Sequence, residues 1–535
     1  MRSHHKFLAL IAFIFAIGTV CQGATITGTV KGTDGAAFRG AFVQAQNTKS
    51  KITVAVLSDP QGHYRIEKLA AGEYRLTIRA LGFRVDPVTG VKLTADQNAA
   101  QDFKLEQGAV RWNEISYNQA KQLWPAGKGK ELLDRNCSTC HQFQSRMASV
   151  HRDAEGWADR IAYMRTAMHF SFQHFTDQDA SDIAAYLTSL FGPESVLPKS
   201  PADMPGYKAT VRPVSDDALN IVYVEYDMPG PSRMPFSAAP DKNGYLWIPN
   251  FSPSNKLTRL DPKTGEMIDY TVPDTEPSAM HSEVPAPDGS VWMAEQASNR
   301  LARWDPDTKQ ITEYQDPYAP GLDGWGDGGQ KHTVRFDTSG RVWASGVPLT
   351  LFDPETKKYT HFEEGKFIYD VKPDKNGDIW FTSPGPDEIG KVDGKTLKVT
   401  KWTMPTPKCF PRRMEIAPDG MIWIAEFNSG KMARFDPTTQ TFKEYALPGP
   451  DPSPYGLGFD TDGYLWYDSH KTDMLVRFDT KTGKTLEYPL PHSEIAMREF
   501  FRDAQGRMWY GTNPNNKVGY FYLAASNGAK AAGGN

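Results

Sequence analysis

One cue recurs seven times between residues 241 and 509: Asp or Pro-Asp, then Gly, any residue, an apolar residue and Trp. It stands as Asp241-Lys-Asn-Gly-Tyr-Leu-Trp247, Pro287-Asp-Gly-Ser-Val-Trp292, Asp337-Thr-Ser-Gly-Arg-Val-Trp343 and Asp374-Lys-Asn-Gly-Asp-Ile-Trp380. Pro418-Asp-Gly-Met-Ile-Trp423, Asp460-Thr-Asp-Gly-Tyr-Leu-Trp466 and Asp503-Ala-Gln-Gly-Arg-Met-Trp509 complete the series. The tryptophans lie 45, 51, 37, 43, 43 and 43 residues apart. A second cue follows most of them, as in Arg259-Leu-Asp-Pro262, Arg303-Trp-Asp-Pro306 and Arg434-Phe-Asp-Pro437. Each Gly marks a tight turn between strands, where it supplies positive φ. A period of about 43 residues has room for four short strands, so seven copies predict a seven-bladed β-propeller over residues 205–525. The tryptophans then pack between blades and are structural.

The shared register allows blade-by-blade comparison. Two positions vary while the cue stays fixed, one eleven residues before each Trp and one three after it. The pairs are Phe236 and Asn250, His281 and Glu295, His332 and Gly346, Tyr369 and Ser383, Arg412 and Glu426, Tyr455 and Ser469, Arg498 and Thr512. A position filled by His, His, Tyr, Arg, Tyr and Arg is not a core position. In a propeller it falls at the axis, where these side chains converge into a polar pocket for a small molecule. His281 or His332 is the candidate general base, and Arg412 and Arg498 suit an anionic or carbonyl group. The 51-residue blade inserts a glycine-rich loop, 321–330, able to cover the same mouth.

These cues, Pro-Asp-Gly-x-Val-Trp-x-x-Glu and Asn-x-x-x-Arg-x-Asp-Pro, resemble the streptogramin B lyase (virginiamycin B lyase) family over nearly the whole propeller. The resemblance implies a His base, two Glu residues holding magnesium and opening of a lactone by elimination. His281 with Glu295 matches one His…Glu pair of that pattern. The family's further Glu, two residues before the base, falls on Ala279; Glu276 and Glu283 stand at other spacings. Arg412 and Arg498 disfavour a divalent cation. The fold therefore carries over better than the magnesium or the lyase chemistry.

Ahead of the propeller, Thr25–Val30, Tyr64–Ile66 and Tyr74–Ile78 alternate at period two between turn clusters at Asp34-Gly35, Asp59-Pro60-Gln61-Gly62 and Ala71-Gly72-Glu73. Such strands read as a small sandwich. Gly28-x-Val30, Gly40-Ala41-x-Val43, Ser58-Asp59-x-x-Gly62-x-Tyr64, Leu69-x-x-Gly72-x-Tyr74 and Gly82-Phe83 resemble the carboxypeptidase regulatory-like domain, which implies a prealbumin-like scaffold or docking module over residues 24–107.

Between the two, residues 112–198 carry Cys137-Ser138-Thr139-Cys140-His141. C-x-x-C-H is a covalent haem attachment pattern, with the His on the iron. No matching ligand set for zinc stands nearby. Flanking helical periodicity places Trp157, Ile161, Met164 and Met168 on one run, and Ile183, Tyr186, Leu187 and Leu190 on another begun by Thr176. This resembles a class I-type monohaem cytochrome c domain, with one haem c on Cys137, Cys140 and His141. Met164 is the first candidate for the sixth ligand, ahead of Met168, His169 and His174. The expected fold class is thus mainly β: a propeller preceded by a small sandwich and an all-α cytochrome c domain.

Charge and composition bound the partners. Lys+Arg 60 against Asp+Glu 64 gives −4, so no basic excess points to nucleic acid. Arg2 and Lys6 precede an apolar run, Phe7 to Val20, that suits a cleaved leader over residues 1–23 better than a membrane span. Val20 before Cys21 fits a lipoprotein signal poorly, so the mature chain is expected in the periplasm without a transmembrane segment. Cys409, remote from the motif, reads as a buried structural thiol. The function expected is electron transfer coupled to binding or oxidation of a small substrate, with a periplasmic redox partner. The alternatives are a lyase-like enzyme with an accessory cytochrome and a non-enzymatic docking propeller.

Overall fold

The computed structural model describes residues 23–138, 141–166, 176–251, 254–273, 278–318, 329–363 and 366–524. The repeat forms seven blades. Six are separate four-stranded antiparallel meanders, from Ala239–Thr271 in blade 1 to Pro454–Pro489 in blade 6. Blade 7 takes its three inner strands from Phe501–Arg502, Met508–Thr512 and Lys517–Leu523. Its outer strand, Ile221–Asp227, comes from the start of the propeller and closes the ring.

The cue explains itself locally. Asp241 Oδ1 accepts the backbone N–H groups of Asn243 and Tyr245, while its Oδ2 accepts the Trp247 indole at 2.9 Å. Gly244, at φ 85°, completes that turn. The same indole bond recurs at Trp343, Trp380, Trp466 and Trp509, each to the Asp six residues earlier. Five of the seven tryptophans then pack on a ring of the neighbouring blade: Trp247 on Trp304, Trp292 on Phe352, Trp380 on Phe435, Trp423 on Phe478 and Trp466 on Phe521. Buried rings at each seam hold the blades together by apolar burial.

The sandwich is continuous with the propeller. Ile52–Leu57 pairs with Ile221–Asp227, so one eight-stranded sheet runs from blade 7 through Phe42–Asn47 and Gly72–Arg79 to Val88–Leu93. The sandwich core of Ile26, Val43, Tyr64, Ile66, Leu76 and Phe103 also takes in Val222 of the shared strand.

Among the described residues four α-helices of seven or more residues follow: α1 (Tyr117–Leu123), α2 (Lys128–Asn136), α3 (Ala154–Thr166) and α4 (Asp177–Phe191). Thr176 caps α4 through a reciprocal bond set with Asp179, as the N-cap pattern predicts. Trp124, Phe143, Trp157, Leu187 and Phe191 form their core. The expectation of a separate all-α cytochrome c domain is corrected here. The chain is mainly β, and these short helices are built onto one face of the propeller.

Buried polar contacts hold them there. Asn118 donates from N to Lys471 O at 2.8 Å and from Nδ2 to Pro450 O at 2.7 Å. Gln142 donates to His470 O and, at 3.0 Å, to Asp473 Oδ1. Gln144 reaches Asp473 Oδ2 at 2.9 Å, and Ser145 N reaches Glu494 Oε2 at 2.7 Å. Lys121, Asp134, Asp451 and Lys471 make an alternating ion network across the joint.

Candidate functional site

The position eleven residues before each Trp lies at the start of the innermost strand. In four blades that strand carries a β-bulge there: between Met280 and Ser282, Lys331 and Val334, Pro411 and Met414, and Pro454 and Leu457. A bulge re-aims the side chain it frees, and the residues freed include His281, His332, Arg412 and Tyr455. Two residues upstream, Met234, Ala279 and Phe410 sit in the left-handed region at φ 55°, 47° and 56°. Non-glycine residues held there cost about 1 kcal/mol or more and mark constrained sites.

The ring residues meet at the axis. His281 and His332 stack with centroids 3.7 Å apart, between Phe236 at 4.7 Å from His281 and Tyr369 at 4.5 Å from His332. The Tyr369 and Tyr455 hydroxyls are hydrogen-bonded, and Arg498 Nη1 donates to the Tyr455 oxygen at 2.7 Å. Arg498 also lies over Phe236 at 4.4 Å. The Arg412 guanidinium lies 3.8 Å over Phe427, 4.5 Å over Tyr455 and 5.2 Å over Tyr369. All seven ring residues are buried.

A floor lies one residue further along each strand. Arg413 donates to Asp370 Oδ1 at 3.0 Å, to Thr333 Oγ1 at 2.7 Å and to Arg498 O at 3.1 Å. Arg335 pairs with Glu499 beside it. Reading the repeat register one residue on, at Thr333, Asp370, Arg413 and Glu499, would have found this layer in the sequence.

Burial and this positive field set the protonation states. Burial lowers His281 and His332 well below the ordinary imidazole value, and Arg413 and Arg498 lower them further, so both are neutral. Burial alone would raise Tyr455, but Arg498, Arg412 and Arg413 bring its phenol below the ordinary value. Burial holds Tyr369 above it.

The position three residues after each Trp does not join the ring chemistry. Glu295 accepts from Ser298 at 2.8 Å and faces Glu313 of its own blade; burial, then Glu313, raises it to about 8. Glu426 repeats this with Ser429 at 2.5 Å and Glu444, and is raised to about 7 by burial first. These are carboxyl pairs inside blades. Glu283 is buried against Ser237, while Glu276 and most of the 321–330 loop lie outside the described residues. Cys409 is buried between blades 4 and 5, its thiol 3.7 Å from Asp387 Oδ1.

The helical segment lies over blades 6 and 7 of this face. His141 is partly buried, with Nδ1 2.7 Å from Gln142 O. Burial, then Arg146, with Arg498 of the ring adding, lowers it to about 3. Beneath it, His470 and Asp468 are fully buried, 3.5 Å apart.

Known proteins resemble this chain in parts. The virginiamycin B lyase family pattern matches residues 353–527, and the carboxypeptidase regulatory-like domain matches residues 25–106. A streptogramin B lyase structure superposes with a TM-score of 0.52 at 19% identity, covering 58% of this chain and 100% of that one. Virginiamycin B lyase from Staphylococcus aureus gives 0.51 at 19%, covering 57% and 100%. A catalytically inactive variant of it with quinupristin gives 0.50 at 18%, covering 56% and 100%. No curated protein matches. The chain thus contains a propeller with the streptogramin-lyase fold, joined to a carboxypeptidase regulatory-like domain.

The haem expectation is corrected. Neither family match extends into residues 112–198, and the helical content of the described residues is too low for a cytochrome domain. Among the described residues no three or more His, Cys, Asp or Glu side chains are grouped to hold a metal. Cys137 packs against the helical core, His141 faces the propeller and Met164 is a residue of α3. Cys140, Met168, His169 and His174 lie outside the described residues. One covalent haem c on this segment is therefore not retained. Magnesium does not fit either: Ala279 replaces a carboxylate, Glu295 is engaged with Ser298 and Glu313, and Arg412 and Arg498 bring positive charge to the axis.

Proposed function

We propose that the propeller binds a small molecule with an anionic or carbonyl group at its axis and acts on it by acid–base chemistry of the elimination type. The observation that carries this reading is the chain Arg498–Tyr455–Tyr369, continued through the His332–His281 stack. With Arg412 of blade 5 beside it, six blades meet in one polar constellation with two guanidinium groups. Arg412 and Arg498 stand in the ring itself, over Phe427 and Phe236, and are the cations that face the axis in this reading. The names of the similar structures, lyases of streptogramin B type, favour elimination over hydrolysis.

The helical segment is the cover of this site in the proposal, and a ligand enters when α1 and α2, docked through Asn118 and Asp134, shift from the propeller. Among the described residues no helix is long and apolar enough to cross a membrane; export to the periplasm belongs to the proposal. Electron transfer and a redox partner are not part of it, since they rested on the haem.

Calorimetric titration with a panel of carboxylates, lactones and esters tests the reading. One class should bind, and Arg412→Met should abolish that binding without lowering the thermal midpoint by more than a few degrees. If no member binds, the propeller is a docking surface and the proposal fails.

A further inference from the structure

We propose that Tyr455, rather than His281 or His332, is the proton acceptor of the axial site, held ready by a hydrogen bond from Arg498 on one side and from Tyr369 on the other. This rests on the acid–base reading above and assigns its base.

The geometry is specific. Tyr455 sits on the bulge of blade 6 and is fully buried. Arg498 Nη1, 2.7 Å away, can only donate, so the Tyr455 oxygen accepts there. The Tyr369 hydroxyl is hydrogen-bonded to the same oxygen, and once Tyr455 is ionised Tyr369 is necessarily the donor. Two donors on one phenol oxygen stabilise its anion. The charged and titratable groups facing it are Tyr369 of blade 4, Arg412 and Arg413 of blade 5, His470 of its own blade at 5.5 Å between rings, and Arg498 of blade 7. The permanent charges among them are all positive. His470 is held neutral by burial and then by Arg498 and Arg412.

That field separates the candidate bases. A histidine that takes a proton becomes a cation among arginines, and burial and the arginines have already lowered His281 and His332 well below their ordinary value. A tyrosinate that takes a proton becomes neutral, and its anion is the form the arginines favour. In the elimination, the Tyr455 oxygen takes the proton from the carbon beside a carbonyl. The C–H electron pair becomes the C=C bond. The C–O bond breaks with its pair leaving on oxygen as a carboxylate, which Arg412 can receive, and no oxidant is consumed.

Phenol titration in the near-ultraviolet, on the full chain without ligand, reads the assignment. One of the 22 tyrosines should ionise below the ordinary value of about 10. That step should vanish in Tyr455→Phe and move to higher pH in Tyr369→Phe, which keeps the ring but removes a donor. Wild-type and Tyr455→Phe curves that coincide would overturn the proposal. If Tyr455→Phe does not fold, an unchanged low step in Tyr369→Phe overturns it instead. Because the titration needs no ligand, its failure is distinct from failure of anion binding.

Discussion

Arg498 of blade 7 donates to the Tyr455 oxygen of blade 6 at 2.7 Å, tying two blades together at the axis. Both residues stand eleven positions before their blade's tryptophan, so one register position places both. Arg498→Lys keeps the charge but loses the planar fork and its stacking on Phe236. Losing a charge-assisted hydrogen bond costs about 1.5–3 kcal/mol, so affinity for an anionic ligand should fall about 10- to 100-fold. Calorimetric titration of the variant checks this.

The Glu295–Glu313 pair makes stability depend on pH. Burial and Glu313 raise Glu295 to about 8 from an ordinary 4.5. The native state then binds the proton more tightly than the unfolded chain, so stability is full at low pH and declines as pH rises through that window. Glu295→Gln should remove this slope and gain about 1 kcal/mol or more at pH near 9. Urea unfolding of both proteins at acid and alkaline pH measures it.

The repeat cue should carry unequal weight among blades. Asp503 accepts the Trp509 indole at 2.7 Å, Arg507 at 2.6 Å and two backbone N–H groups. Asp288, four residues before its tryptophan, accepts from Ser290 and Arg303. Asp503→Ala should therefore cost about 1–3 kcal/mol, as an orphaned buried donor does, and Asp288→Ala less. Thermal unfolding of the two variants gives the comparison.

Docking of the helical segment should loosen at alkaline pH. Burial raises Asp473 to about 7 from 3.8 although Gln142 donates to it, and Glu494 is raised by burial too. The docked state holds these protons more tightly, so docking weakens as pH rises through about 4 to 7. Hydrogen exchange in α1, corrected for intrinsic rate, should be faster relative to the propeller at pH near 8. Asp473→Asn should flatten the difference.

Much of this was legible beforehand because the repeat prints one structural solution seven times. The Asp-Gly turns are local, and the fixed spacing of Trp247 or Trp466 from them announces the tryptophan seams, whereas the Asp–indole bond appears only in the structure. Variation at a single register position exposed the ring from Phe236 to Arg498. At the second varying position Glu295 and Glu426 turn toward carboxylates of their own blades. A strand's end is visible in sequence, but the partner its side chain meets, Glu313 or Glu444, lies on another strand of the blade.

The sequence by itself determined the blades, their tryptophan seams and the ring residues, since each follows from a short repeated pattern. Only the tertiary structure decided three things. The bulges that aim His281, Arg412 and Tyr455 inward depend on strand pairing. The floor of Arg413 and Asp370 depends on charges brought together from separate blades. And the segment around Cys137 and His141, whose motif pointed to a haem domain, is held by Gln142, Asp473 and Glu494 against blades 6 and 7 of the propeller. Contacts between residues more than three hundred positions apart leave no local periodicity to read.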